Sequence, residues 1–517
     1  MKKYFSNIKN EIIGRLFFHL IYIVAIAGLP YVIKIMLDSD YANGITDVVG
    51  LIVLFVALIF IAMLAQYLSQ RISWKLDTKF FLLLRKDLFS SIIKKSPKDF
   101  KSKEIGDYSS MLDNDIAACG EYINYIMLIV ESIFGIITYA VYLFLLDYRI
   151  AILMYVCTGL MIFLPRVTGK KLSTKKQSLL NITGNYITKV IDLLKGYPLV
   201  NNKTSEAIAN RHESSLDKME TARYDYGKFK TFVNVFNGSV MYLINISTFI
   251  IIAILLYRRE ISVGIATATF AYIGDFSYPL RTIIDSISDL KSVKGVKNKV
   301  VDEIAKTDVS EHVYDDFSHN IRLNDVSFKY DTFELNNFSY QFEKGKKYVI
   351  IGDSGTGKST ILNLLTGFIE ADAGSIELDH KKLTRDMSNN LIFYLTQDSH
   401  IFMEDFWENI TIYDSFKKHE EFLELIPEDR RDAIMGARDC SKLSGGEKQL
   451  VNIVRAISSG SSILALDEPF SALDYRTELA VCKKLLALKD KTIILITHNQ
   501  QEEYLNMFDE KIVTGKI

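Results

Sequence analysis

Residues 347–365 read KYVIIGDSGTGKSTILNLL. Lys347-Tyr348-Val349-Ile350-Ile351 has the length and apolar character of a buried strand, and Ile361 to Leu365 keeps helical spacing. Between them stands GxxxxGK[ST] in the strand-to-helix context that the motif needs. Across Gly352, Asp353, Ser354, Gly355, Thr356, Gly357, Lys358, Ser359 and Thr360, the glycines let backbone N–H groups converge on phosphate oxygens. Lys358 supplies a point charge to the β- and γ-phosphates, and the Ser359 hydroxyl can ligate Mg²⁺. The stretch fixes an α/β P-loop domain as the fold of the C-terminal part.

Working outward, a second strand, Ser462 to Leu466, ends in Asp467-Glu468-Pro469. Asp467 at a strand's carboxyl end is placed to hold Mg²⁺ through water, and Glu468 can orient or deprotonate an attacking water. Two acids at a strand end can also serve as caps, but the upstream P-loop favours the metal and the base. Leu443-Ser444-Gly445-Gly446-Glu447-Lys448-Gln449 begins a helical stretch, with Ser444 lying 23 residues before Asp467. A helix opened by Ser444-Gly445-Gly446 would carry free N–H groups and the positive end of its dipole at that point.

These residues resemble the ATP-binding cassette (ABC) transporter family, in which the LSGG element is the signature sequence. The resemblance implies ATP as ligand and Mg²⁺ as its companion. It also implies roles for further positions. Tyr330 matches the aromatic residue that stacks on adenine. Gln397, in Leu395-Thr396-Gln397-Asp398, matches the loop glutamine between metal and membrane domain. Ser471-Ala472-Leu473-Asp474 matches the D-loop, and His498 the switch histidine on the γ-phosphate. In the family, ATP lies between the P-loop of one cassette and the signature of another. One chain supplies a single cassette, so the resemblance implies a dimer, with a homodimer favoured because every motif residue has the expected type. A heterodimer is the alternative. Three departures stand out. Gln397 and Ser444 are only 47 residues apart, so the helical subdomain is trimmed, and the element preceding the signature is reduced to something like Gly436-Ala437-Arg438. The sequence stops soon after Lys511-Ile512-Val513-Thr514-Gly515, and no cysteine-peptidase module stands at the N-terminus, which argues against leader-peptide cleavage.

The N-terminal part reads as membrane. Six apolar segments have lengths near that of a bilayer core: about Leu16–Met36, Val48–Leu68, Tyr122–Leu146, Ile150–Leu164, Phe236–Tyr257 and Gly264–Ile284. The first is too long for a signal-peptide core and lacks a small-residue cleavage site. Segments 71–120 and 166–235 are rich in Lys and Arg, whereas the turns near Asp38 and Asp147 are not. That asymmetry places both termini and the ATPase domain in the cytoplasm of a multi-pass cell-membrane protein. The basic segments keep helical spacing, so the membrane helices continue inward as two long hairpins that turn at Pro97 and Pro198. Pro30, Pro165 and Pro279 fall in or beside spans, where they bend or end a helix. The first hairpin, through Phe100, Gly106-Asp107 and Asp113-Asn114-Asp115, also resembles that of six-helix ABC exporters. The expected architecture is an all-α six-helix transmembrane domain over 1–305 and an α/β cassette over 320–517.

Composition agrees and excludes. Lys and Arg number 61 against 62 Asp and Glu, so no basic field gathers nucleic acid. Mean hydropathy is +0.13, and the apolar excess lies before about residue 285. Cys119, Cys157, Cys440 and Cys482 are far apart and form no disulfide framework or zinc motif. The function expected from the whole is ATP-driven export of a peptide, lipid or drug-like compound across the bilayer. An importer on the same architecture, or a ligand sensor or immunity protein without sustained transport, are the rivals. Counted at 1.5 Å per residue, Glu131 and Asp275 both fall near mid-membrane. No Lys or Arg stands at comparable depth, since Lys34 is near the outer end of the first span. Such acids need a cavity, a partner or a proton.

Overall fold

The computed structural model describes residues 1–41, 44–161, 164–305, 316–330, 333–353 and 355–514. By their packing they form two units, residues 1–93 with 105–306 and residues 94–104 with 307–517.

The first unit is helical: α1 (Lys9–Asp38), α2 (Ile45–Ile93), α3 (Ile116–Leu146), α4 (Tyr148–Met161), α5 (Leu164–Lys195), α6 (Ser205–Tyr257) and α7 (Val263–Ala305). All six expected spans lie on these helices, the fourth crossing residues 162–163, which are outside the described set. Lys9–Asp38, Ile45–Ile93 and Ile105–Leu146 are long and apolar enough to cross a membrane, and Asn245–Tyr257 is a shorter apolar stretch of α6. The sixth expected span does not reach that hydropathy because Thr267, Thr269, Asp275 and Arg281 interrupt it. On α2, Ile52, Val53, Val56, Phe60 and Met63 are all exposed. A face of that kind is unfavourable in water and suited to lipid.

α1 packs along α2, α7 along α3 and α1, and α5 along α6. Tyr139, Leu143, Tyr272 and Phe276 form one buried cluster with Ile23 and Ala27, where the Tyr272 hydroxyl donates to the Ala27 carbonyl at 2.6 Å. Pro30 and Pro279 lie inside α1 and α7. A side chain at Gly135 of α3 would meet Pro279 Cγ at 3.1 Å, so the absent Cβ lets the two helices approach. Pro165 begins α5, and nothing is described of its side chain. The second hairpin turns at a 3₁₀ segment, Tyr197–Leu199, whose Tyr197 and Leu199 are exposed.

One expectation about this unit is corrected. Glu131 does have a basic neighbour: Arg15 Nε donates to Glu131 Oε1 at 2.6 Å and both side chains are buried. Arg15 also donates to Ser73 Oγ at 2.9 Å, five residues past the inner end of the second span. Glu131 therefore lies level with the Leu68 end of that span, away from its middle. Counting depth from each segment's own first apolar residue fails because Arg15, at the start of the first span, stands beside Glu131, nine residues into the third, so the two helices are offset along their axes. Asp275 differs: it is exposed on α7 and has no hydrogen bond or ion pair among the described residues.

The second unit holds the sheets. An antiparallel sheet of order β2-β1-β4-β5 comprises β1 (Asn320–Tyr330), β2 (Phe333–Glu343), β4 (Ala373–Leu378) and β5 (Lys381–Lys382). A parallel sheet of order β6-β7-β8-β3-β9 comprises β3 (Lys347–Ile351), β6 (Ile392–Leu395), β7 (Ile463–Asp467), β8 (Thr492–Ile496) and β9 (Glu510–Val513). β3, β7 and β8 are buried along their whole length, which explains why they read as continuous apolar runs. Helices α8 (Lys358–Leu365), α9 (Arg385–Leu391), α10 (Phe406–Thr411), α11 (Gly445–Ser458) and α12 (Tyr475–Leu486) connect them. Cys440 and Cys482 pack here as free thiols, pushed up by burial to about 11 and about 12. Such thiols are inert.

The tip of the first hairpin belongs to this unit. Ser96 caps the short helix Pro97–Lys101 by accepting from the Asp99 N–H. Arg385 Nη2 donates to the Lys95 carbonyl at 2.6 Å, and Lys101 Nζ stands 5.4 Å from the centre of the Phe368 ring.

Candidate nucleotide site

The P-loop leaves β3 at the carboxyl edge of the parallel sheet, where open α/β folds place their ligands. Gly352 is obligatory, since a Cβ would lie 2.3 Å from Thr514 Oγ1. Gly357, with φ 88°, makes the turn into α8. Lys358 is buried, and its Nζ donates to the Gly352 and Asp353 carbonyls at 2.9 and 2.8 Å. The loop is thus wrapped around the ammonium. Thr356 Oγ1 lies 2.6 Å from Thr514 Oγ1 at the end of β9 and donates to the Asp353 carbonyl at 2.8 Å. Ser354 lies outside the described residues.

β7 runs beside β8 and delivers Asp467 and Glu468 to the same edge. Burial pushes the Asp467 carboxyl up, while a hydrogen bond from Ser359, a bond from Tyr394 and the Lys358 charge oppose the shift. Glu468 has φ 50°, a left-handed backbone that costs a non-glycine residue about 1–3 kcal/mol at functional sites. In that conformation its carboxylate meets two partners. Oε1 is 2.7 Å from His498 Nε2, and Oε2 accepts from Gln397 Nε2 at 3.0 Å. Gln397, Glu468 and His498 are therefore one contiguous group, with Asp467 and Ser359 beside it.

The signature forms a second group. Ser444 caps α11 in a reciprocal box with Glu447: the Ser444 N–H and hydroxyl donate to Glu447 Oε2 at 2.9 and 2.6 Å. Those two bonds hold the Glu447 carboxyl below the usual range. Gly446 lies against the D-loop, where a Cβ would be 3.0 Å from the Ala472 carbonyl. Gln449 clasps the D-loop, donating to Ser471 Oγ and accepting from the Ala472 N–H, each at 2.8 Å. Asp474 caps α12 by accepting from the Thr477 N–H and hydroxyl, with Arg430 at 3.5 Å. Among the described residues no hydrogen bond or ion pair joins Ser444, Gly445, Gly446 or Asp474 to the P-loop. Tyr330 is exposed at the end of β1, with its ring 6.5 Å from that of Phe328 and nearly parallel to it. Thr360 lies in the first turn of α8.

Two supporting residues escape a motif reading. Thr514 braces the P-loop from β9, and nothing local in the sequence marks it. Tyr394 precedes Gln397 by three residues and donates a 3.5 Å bond to Asp467 Oδ2; a hydroxyl at the end of an otherwise apolar strand was the available signal.

Among the described residues no cluster of three or more His, Cys, Asp or Glu side chains is built to hold a metal. Mg²⁺ bound together with a nucleotide needs no such cluster, because it takes one or two protein oxygens and completes its shell with phosphate and water. Asp467 and the Ser359 hydroxyl, which bond each other, are oxygens of the kind that would hold it.

The family model of the ABC transporter transmembrane region matches residues 12–280, and that of the ABC transporter matches residues 335–471. The chain belongs to the ABC transporter family. The uncharacterised ABC transporter ATP-binding protein YwjA of Bacillus subtilis (strain 168) is 27% identical, over 96% of this chain and 91% of that protein. An ATP-dependent lipid A-core flippase of Mannheimia succiniciproducens is 24% identical, over 91% and 85%. A bacterial Atm1-family ABC exporter solved with ATP bound superposes with a TM-score of 0.82 at 19% identity, covering 98% of this chain and 94% of that one. The chain thus has the exporter-type fold, a helical membrane region fused to one cassette, and it is an ATP-binding membrane ATPase coupled to transport.

Proposed function

We propose that two copies of this chain form an exporter that moves an amphipathic compound, a lipid, peptide or drug-like molecule, out of the cytoplasm. The observation that carries this reading is the separation of the two motif groups within the cassette. The P-loop with Gln397, Asp467, Glu468 and His498 is one group, and Ser444-Gly445-Gly446 with the D-loop is another. A second copy supplies the missing half of each site. The exposed tip of the second hairpin, Tyr197 and Leu199, is an apolar surface suited to docking on the partner's cassette.

In this reading ATP lies with its phosphates on the P-loop and its adenine against Tyr330. Lys358 turns from the loop carbonyls to the β- and γ-phosphates. Ser359, Asp467 and Gln397 hold Mg²⁺, which supplies charge neutralisation at the transferring phosphoryl group. Glu468 takes a proton from the attacking water as the bond between the β,γ-bridging oxygen and the γ-phosphorus breaks, giving ADP and phosphate. His498 and Gln397 keep the Glu468 carboxylate aimed. Signature N–H groups from the partner stabilise charge on the γ-phosphate. Closure of the cassettes draws on tighter ATP binding to the closed state, and the hairpin tips at Pro97 and Pro198 pass the motion to a multi-pass membrane domain whose termini face the cytoplasm.

The test is ATP-dependent uptake into inside-out vesicles across a panel of lipids, peptides and cationic, neutral and anionic drugs, with purified protein assayed for mass and ATPase. Accumulation of one class supports export. Ligand-stimulated ATPase without any accumulation identifies the sensor reading instead, and ATP-driven efflux from those vesicles an importer.

A further inference from the structure

Three turns beyond the signature, on α11, stands a buried arginine that the chemistry above does not use. Arg455 donates from Nε to the Asn409 carbonyl at 2.6 Å, from Nη1 to the His400 carbonyl at 2.7 Å and to Asn452 Oδ1 at 2.8 Å, and from Nη2 to Asn409 Oδ1 at 2.8 Å. The Phe402 ring lies 5.7 Å from the guanidinium carbon. All of these partners are neutral. Burial pulls the guanidinium down to about 10, so it stays charged near neutral pH and is solvated by amide dipoles alone.

Removing a charge from water is costly unless hydrogen bonds replace its hydration. The replacement here fixes a particular segment. His400 and Phe402 lie in the segment that runs on from Gln397 through Asp398 and Ser399. Asn409 of α10 ties that segment down by donating to the Phe402, Glu404 and Asp405 carbonyls and accepting from the Phe402 N–H. Asn452, one turn before Arg455, donates to the Ser399 carbonyl at 3.3 Å. The helix that Ser444 opens therefore grips residues 399–405, and Gln397 at their head bonds Glu468.

We propose that Arg455 is a positioning residue for ATP hydrolysis: it fixes the segment after Gln397 to the signature helix, and so sets the Gln397–Glu468 contact. Its planar fork bonds four acceptors on three residues at fixed angles, which a lysine ammonium cannot reproduce. The inference rests on the ATPase activity, and on neither the substrate nor the direction of transport.

The experiment is a double-mutant cycle of Arg455→Lys with Gln397→Ala in the full-length protein in lipid nanodiscs, with kcat, KM for ATP and thermal midpoint measured. If Arg455 acts through Gln397, R455K lowers kcat about tenfold with KM for ATP changed by less than about twofold, and R455K/Q397A is no slower than Q397A alone. Loss of kcat that multiplies with that of Q397A overturns the proposal, as does an unchanged kcat. Should R455K fail to fold, Asn452→Ala keeps the arginine and removes the bond to Ser399, and it enters the same cycle under the same criteria. Wild-type turnover and its abolition in Glu468→Gln, in the same assay, report separately on the ATPase reading.

Discussion

Glu468 of the cassette and Glu131 of the helical unit are both carboxylates held by two hydrogen bonds, yet they are built for opposite ends. Glu468 is bonded by a histidine and an amide, neither a permanent cation, and its side chain keeps 16% exposure. Glu131 is bonded twice by the Arg15 guanidinium, with 9% exposure on each side. A carboxylate paired with a permanent cation neutralises it, and loss of the acid would strand that charge in a low-dielectric interior. A carboxylate aimed by a histidine and an amide is held in direction with no permanent positive charge fixed on it. The partner, more than the acid, distinguishes the carboxylate proposed here as the base from the one that neutralises a buried arginine.

That contrast is tested most severely by Glu468→Gln. It keeps the shape and loses the base, so ATPase should fall by about 10²–10⁴-fold with nucleotide binding retained. A normal turnover rate would remove Glu468 from the role assigned to it. Next in size is Glu131→Gln, which leaves Arg15 buried and uncompensated. Breaking one side of a buried pair costs about 3–5 kcal/mol, to be read as a lower thermal midpoint and poorer yield. Replacing both residues with apolar side chains, R15M/E131L, should recover most of the loss, and failure to recover would show that the pair does more than neutralise itself. Among the described residues Asp275 has neither kind of partner, and it sits exposed on α7. Asp275→Asn should leave basal ATPase within about twofold while cutting uptake of cationic amphiphiles several-fold, the signature of an acid facing a cavity. Equal uptake by the variant would make Asp275 a structural acid like Glu131. The smallest effect belongs to Thr514→Val, which removes the brace on Thr356. ATP affinity should drop by a factor of a few, matching one hydrogen bond worth about 1 kcal/mol, with kcat unchanged.

The cassette was legible because its chemistry is written in contiguous residues. A P-loop needs glycines where N–H groups converge, and lysine and serine immediately after. An acid pair at the end of an apolar strand announces its own position. The membrane half is legible only as hydropathy, and there the depth of a side chain depends on where its helix starts relative to the others. Counting along α3 placed Glu131 near mid-membrane, while the offset between α1 and α3 brings it level with Arg15 and Ser73. The same offset cannot be found in apolar periodicity, which repeats every turn and so tolerates axial sliding.

The sequence by itself determined the class of protein, the P-loop, the acid pair, the signature and the presence of a helical membrane domain. Each depends on residues close together in the chain or on the local price of exposing apolar surface to water. Only the tertiary structure decided which distant side chains meet: His498 and Gln397 on Glu468, Thr514 beneath the P-loop, Gln449 across the D-loop, Arg455 on the segment after Gln397, and Arg15 on Glu131. Those contacts join residues tens to more than a hundred positions apart. They follow from strand order and helix register, quantities fixed by the packing of the whole unit and by no local pattern.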